Sequence, residues 1–203
     1  YYRALVVRSQ IKEVLLFSLD ILNRNDIKYW LDFGTLLGYF REKSIILYDP
    51  DGDITIDFQY GEYAFECFKK ECKKNKNFIF EARDNGKGAK WFRIYNSKKN
   101  IFSRNRHIDF YCVDKIKDDI MLLSSKNEGD HIPKDLIYPL KKSTFYGKNI
   151  LVPEKEISVL KYRYGEDFMI PIHMYKGRAN GKYKNLIKLI LRNVTLFFYK
   201  EWN

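Results

Sequence analysis

Cysteine is scarce in this 203-residue chain: there are three, an odd number. Cys67 and Cys72 stand five apart in a stretch of helical periodicity and share no face, while Cys112 lies in an apolar, strand-like run. No zinc-type spacing joins them to His107, His131 or His173, which are scattered. This argues against a disulfide-stapled fold and for a reduced, cytoplasmic setting. Proline is sparse too, and no stretch rich in Gly, Pro or Ser divides the chain, nor does any segment repeat. No apolar run is long and uncharged enough to cross a bilayer, and no secretory leader is visible. Tyr1 in place of an initiating Met fits a piece of a longer chain. Asn193-Val194-Thr195 matches a glycosylation sequon but falls in an amphipathic stretch, and is read as chance.

Aromatic residues are plentiful at 17% and supply ample material for one core, or for a domain with an appendage. Lys and Arg number 37 against 26 Asp and Glu, a net charge of +11 that favours anionic partners. Much of the excess sits in Lys- and Asn-rich segments such as 69–76 and 98–100, where solvated lysines are the ordinary reading. Residues 4–24 have helical periodicity with Val7, Ile11, Val14, Leu15 and Leu22 on one side. "IKYWLDF" reads as a buried strand ending at Gly34, after which Thr35 can cap a short helix, "LLGYFRE". "DITIDF" alternates as a strand, 61–74 as a helix, and "FIFEAR", "AKWFRIY" and "HIDFYCV" as three more strands. Trp30 and Trp91 are assigned to the core. "DHIPKDLIYPL" reads as loop with short turns, and 154–164 as a helix with Ile157, Leu160 and Tyr164 on one side, closed by Gly165. Residues 183–200 set Lys184, Lys188 and Arg192 four apart against an apolar surface, which suits either core packing or an anionic membrane. The expected class is α+β, a mixed sheet covered by helices, with a catalytic domain over 1–170 and a basic amphipathic extension over 171–203.

Against the positive balance stands "LYDPDGDI", with Asp49, Asp51 and Asp53 at alternate positions. In an extended chain residues two apart share a face, so Asp51 and Asp53 project together. Two such carboxylates either repel one another or clamp a divalent cation, and Asp109, between apolar neighbours on a later strand, can supply a third. An acidic turn built on Asp-Pro and Asp-Gly is the competing reading. Upstream, Gly34-Thr35 opens a helix after a strand and offers backbone N–H groups to a phosphate.

The pattern Tyr29-Trp30-Leu31, Gly34-Thr35-Leu36-Leu37-Gly38, Arg41, Ile45-Ile46, then Asp49, Asp51 and Asp53 resembles the signature of LicD-type proteins. "KWFRIY", "HIDFY", "FYGKNILVP" and "YGEDF" follow in the same order, so the likeness runs from Tyr29 to Phe168. That group contains bacterial phosphocholine transferases, fukutin and fukutin-related protein. Two departures stand out: Leu47-Tyr48 where such proteins have Pro-Trp, and Gly52 with Pro50 where an apolar residue is usual. The cysteine-rich zinc insertion of fukutin-related protein is missing as well.

The resemblance implies a polymerase-β-like nucleotidyltransferase fold and transfer of phosphocholine or ribitol phosphate from a CDP-linked donor to a glycan or glycolipid hydroxyl, releasing CMP. It implies Mg²⁺, or Mn²⁺, held by Asp49, Asp51, Asp53 and Asp109, with Asp51, Asp53 and Asp109 catalytic. Gly34, Thr35, Arg41, Lys90 and Arg93 become the expected contacts to the donor. Lipopolysaccharide or teichoic acid modification at the inner face of a membrane would suit such a protein. The alternatives are nucleotide transfer with pyrophosphate release, a non-catalytic basic domain, or a degenerate scaffold; no nucleic-acid motif is present.

Overall fold

The computed structural model describes residues 2–47, 49–84, 90–97, 106–124 and 130–171. The expected extension over 171–203 lies, after its first residue, outside the described part. The chain divides into two units, Tyr1–Arg163 and Tyr164–Asn203. In the second, Gly165 takes a left-handed φ of 93°, and the turn after it closes with Phe168 N–H donating to the Gly165 carbonyl at 3.3 Å.

The first unit is built on helix α1 (Tyr2–Arg24), strand β1 (Tyr29–Leu31), helix α2 (Phe33–Glu42), strand β2 (Gly52–Ile56) and helix α3 (Gly61–Lys74). Strands β3 (Phe78–Asp84), β4 (Lys90–Asn96) and β5 (His107–Lys117) follow. They form a mixed sheet in the order β1-β2-β5-β4-β3, in which β2 and β5 are parallel and the remaining neighbours antiparallel. The far half of β5 continues past a register shift at Val113/Lys115 into β6 (Ile120–Leu123), which pairs with β7 (His131–Pro133). Helix α4 (Lys134–Ile137), the hairpin β8 (Leu140–Phe145) and β9 (Lys148–Pro153), and helix α5 (Glu156–Tyr164) complete it.

Three sequence expectations are corrected. The strand expected over "IKYWLDF" is only three residues long, because Asp32 rather than Thr35 caps α2: its side chain accepts from Phe33 N–H at 2.8 Å. The segment expected as loop holds β7 and α4, which lack the long periodic patterns that mark larger elements. In α5 the buried residues are Val159 and Leu160, whereas Ile157 is 52% exposed.

Strand alternation sorts the sheet into two faces. One carries Ile54, Ile56, Phe92, Ile94, Ile108 and Phe110, all fully buried, and is covered by α1 and α3. There Phe68 of α3 meets Phe110 at 4.6 Å and Phe92 at 5.3 Å, and Phe92 stacks on Phe110 at 4.6 Å. The opposite face carries the charged residues. Asp32, at the β1–α2 corner, is fully buried and accepts from Thr55 Oγ1 at 2.9 Å and Trp30 Nε1 at 3.2 Å. The Arg163 guanidinium bridges it with two bonds, Nε to Oδ1 at 3.2 Å and Nη2 to Oδ2 at 2.9 Å. Among the described residues no helix is long and apolar enough to cross a membrane.

Two stability measurements follow from this packing. Phe68→Ala empties the aromatic cluster and should cost about 3–5 kcal/mol in denaturant unfolding. Asp32→Ala should cost a similar ~3–5 kcal/mol, since it strands the buried Arg163 charge as well as uncapping α2.

Candidate active site

Parallel pairing sets Gly52 opposite Ile108 and Asp53 opposite Asp109, and antiparallel pairing sets Asp109 opposite Arg93. Residues paired across neighbouring strands point to the same face, so Asp53, Asp109 and Arg93 form one row across β2, β5 and β4. His107, two residues before Asp109, and Asp51, two before Asp53, extend that row into a second rank. Asp109 is buried, while Asp51, Asp53, Arg93 and His107 are half-buried.

Each acidic group has its own setting. Asp109 is held by Arg93 through two bonds, one from Nε to Oδ1 and one from Nη2 to Oδ2 at 2.9 Å. The same guanidinium lies over the Trp91 ring at 4.6 Å. His107 Nε2 is 3.6 Å from both Asp51 Oδ2 and Asp109 Oδ1, and its ring leans on Tyr95 at 5.1 Å. The loop bearing Asp51 is tied to the start of β5 by Arg106, which donates to the Pro50 carbonyl at 3.4 Å.

Asp53 is fixed through its backbone, whose N–H donates to Thr35 Oγ1 at 2.8 Å. Burial pushes its carboxyl well above the usual carboxylate range, and the negative charges of Asp51, Asp49, Asp109 and Asp32 push it further. Burial and the neighbouring Asp53, Asp109 and Asp51 charges likewise raise the Tyr111 phenol, whose oxygen lies 3.5 Å from Asp53 Oδ1. Positive charge brought to this face would ease the ionisation of both groups.

Helix α2 points its positive end at the same place. A Cβ on Gly34 would collide with Asp49 Oδ2 where it now stands and touch Asp53 Oδ2 at 3.6 Å, so the glycine lets the Asp49 carboxylate lie against the first helical turn beside Asp53. Phe33, just before it, adopts a left-handed φ of 43°, a costly conformation for an aromatic residue. It is clamped there between the Arg163 guanidinium at 3.9 Å and the Tyr111 ring at 5.2 Å. Gly52 also has a structural reason: a Cβ there would meet Ile108 Cδ1 at 2.5 Å and Thr35 Oγ1 at 3.0 Å.

The sequence-expected residues thus distribute unevenly. Asp51, Asp53, Asp109 and Arg93 share one face, and Asp49 lies against Gly34 at its edge. Thr35 spends its hydroxyl as an acceptor for Asp53. Arg41 sits in the last turn of α2, about 10 Å along the helix axis from Gly34, and pairs with Glu42 at 2.6 Å. Lys90 opens β4, but its side chain lies outside the described part. Trp30 and Trp91 are both buried. Sequence reasoning missed His107, Tyr111, Asp32 and Arg163. His107 carried a legible signal, its place two residues before Asp109 on a strand; Arg163 carried none.

Among the described residues, Asp51, His107 and Asp109 each offer a ligand atom, all within 4.8 Å of one another, and so could hold a metal ion. Two carboxylates and an imidazole are a chemically suitable donor set.

The family profile described as LicD/FKTN/FKRP, nucleotidyltransferase domain, matches residues 26–155. The uncharacterized protein RT0683 of Rickettsia typhi is 29% identical over 148 residues, which cover 72% of this chain and 43% of that protein. Human ribitol-5-phosphate transferase FKTN is 38% identical over 56 residues, 28% of this chain and 12% of that protein. The chain therefore spans less than half the length of either relative. Among solved structures, the lincosamide antibiotic adenylyltransferase LnuA with lincomycin bound has a TM-score of 0.44 at 14% identity, over 88% of this chain and 95% of that one. With the profile match extending over more than half of its residues, the chain belongs to the LicD/FKTN/FKRP nucleotidyltransferase-domain family.

Proposed function

We propose that this chain is the catalytic part of a transferase that moves a phospho-alcohol, of the ribitol phosphate or phosphocholine type, from a CDP-linked donor to a glycan hydroxyl. The acceptor oxygen bonds to the phosphorus bearing the alcohol, the bridging P–O bond of the diphosphate breaks, CMP departs, and the hydroxyl proton passes to a carboxylate. The observation carrying this reading is the in-register row of Asp53, Asp109 and Arg93 with Asp51 and His107 beside it. Family membership, and a relative that is a ribitol-5-phosphate transferase, support the choice of substrate class.

Asp51, His107 and Asp109 would hold a divalent cation of the Mg²⁺ or Mn²⁺ type, with Asp53 and Asp49 alongside. When bound, such a cation neutralises the donor diphosphate and polarises the attacked phosphorus. Arg93 orients Asp109 and brings a fixed positive charge to the face where the diphosphate must lie. Gly34 and Thr35 bring the positive end of α2 to the same face. Because phosphoryl transfer rests on positioning and charge stabilisation, no nucleophilic Ser or Cys is needed. The basic C-terminal segment is proposed to meet an anionic membrane bearing the acceptor.

The test is a panel of CDP-alcohols, each with Mg²⁺ or Mn²⁺, read for CMP. At least one should yield CMP. Asp53→Asn and Asp109→Asn should each reduce the rate at least about a hundredfold, the upper range for loss of a mere outer partner of a metal site. Pyrophosphate in place of CMP, from a nucleoside triphosphate, would replace this reading with nucleotidyl transfer. A rate indifferent to both substitutions would overturn the site.

A further inference from the structure

His107 gives the cluster a nitrogen donor, which carries a consequence for metal choice. Mg²⁺ binds oxygen ligands almost exclusively and keeps several of its waters. Imidazole belongs instead with first-row transition cations, whose affinity for mixed N/O sites rises along the series that begins at Mn²⁺. We propose that His107 is a metal ligand that makes this site prefer Mn²⁺ to Mg²⁺. The inference rests on the reading that the cluster holds a cation for the transferase reaction.

The geometry suits direct ligation. A cation about 2.1 Å from each of three donors sets neighbouring donors roughly 3–3.5 Å apart. His107 Nε2 stands 3.6 Å from Asp51 Oδ2 and 3.6 Å from Asp109 Oδ1, and all three ligand atoms lie within 4.8 Å of one another, so inward movement of the donors closes the set. Each donor is also held from behind. His107 and Asp109 alternate on β5, a strand flanked on both sides by partners. Tyr95 is the cross-strand partner of His107 and packs against its ring, and Arg93 grips Asp109. Arg106 ties down the Asp51 loop through the Pro50 carbonyl. The imidazole side chain is only 14% exposed and the Asp109 side chain 4%, which shields the site from competing water.

The experiment measures metal binding directly on the full chain, by electron paramagnetic resonance of free Mn²⁺ with Mg²⁺ as competitor. Wild type, His107→Asp and His107→Gln are compared, with a thermal melt of each without metal to verify folding. Wild type should bind Mn²⁺ at least about tenfold more tightly than Mg²⁺. His107→Asp, an all-oxygen set, should still bind both ions but with the preference cut to within about threefold. His107→Gln should lose roughly 10- to 100-fold in Mn²⁺ affinity, and keeps the test open should the added charge of His107→Asp prevent folding. An unchanged Mn²⁺/Mg²⁺ ratio in the folded variants, or no Mn²⁺ binding by wild type, overturns the proposal. Assaying CMP on the same samples separates the two readings. The expected metal ratios without CMP leave His107 a ligand and sink the substrate, whereas CMP release with equal ratios keeps the transferase and removes His107 from the metal.

Discussion

Parallel pairing of β2 with β5 places Asp53 across from Asp109, on strands separated by about 4.8 Å, and most of the site follows from that one register. A slip by a single residue would turn Asp53 into the aromatic layer and bring Ile54 onto the charged face. The register is enforced from below, where Ile54 lies opposite Phe110, and Phe110 stacks on Phe92 and meets Phe68 of α3. It is enforced at the strand end as well: Gly52 lets the Ile108 side chain and the Thr35 hydroxyl close in on β2, and Thr35 takes the Asp53 N–H. The apolar face thus aligns carboxylates that would otherwise repel one another.

The repulsion is offset by positive charge that the fold itself delivers. Arg93 sits opposite Asp109 in the antiparallel ladder, and the N-terminus of α2 reaches Asp49 and Asp53 across Gly34. Asp32, whose charge also reaches Asp53, has its own partners: it caps α2, accepts from Thr55 and Trp30, and pairs with Arg163. Through that pair α5, late in the chain, braces the corner where Phe33 is held in a left-handed conformation next to Tyr111. The surroundings of Asp53 resist its ionisation, through burial first and neighbouring charge second. A cation would relieve that resistance.

Much of the architecture is legible in the sequence because its longer elements keep a clear period. The apolar residues of α1 recur at helical spacing, β2 and β5 alternate, and the class α+β follows from their order. The shared face of Asp51 and Asp53 reads from strand alternation, Asp109 from its place between apolar neighbours on a later strand, and the LicD resemblance from the motifs around them. Other features depend on partners far away in the chain. β6 and β7 are too short for their alternation to stand out, and they exist because β5 extends beyond the main sheet to pair with them. Asp32 looks like any residue after an apolar run until Arg163, 131 positions later, is brought beside it. His107 is an intermediate case: once "HIDFY" is read as a strand, its side chain must share a face with Asp109. The scattering of the three histidines along the chain concealed this, since metal-ligand spacing in sequence is a rule for turns and helices more than for paired strands.

The central claim is that Asp51, His107 and Asp109 converge on one ion, beside Asp53. Anomalous diffraction from crystals soaked in Mn²⁺ tests it most directly. The account predicts a peak bounded by the three side chains, lost when Asp109 is replaced by Asn while the sheet register stays intact. An empty cluster under saturating Mn²⁺, or an ion seated away from these residues, would contradict it.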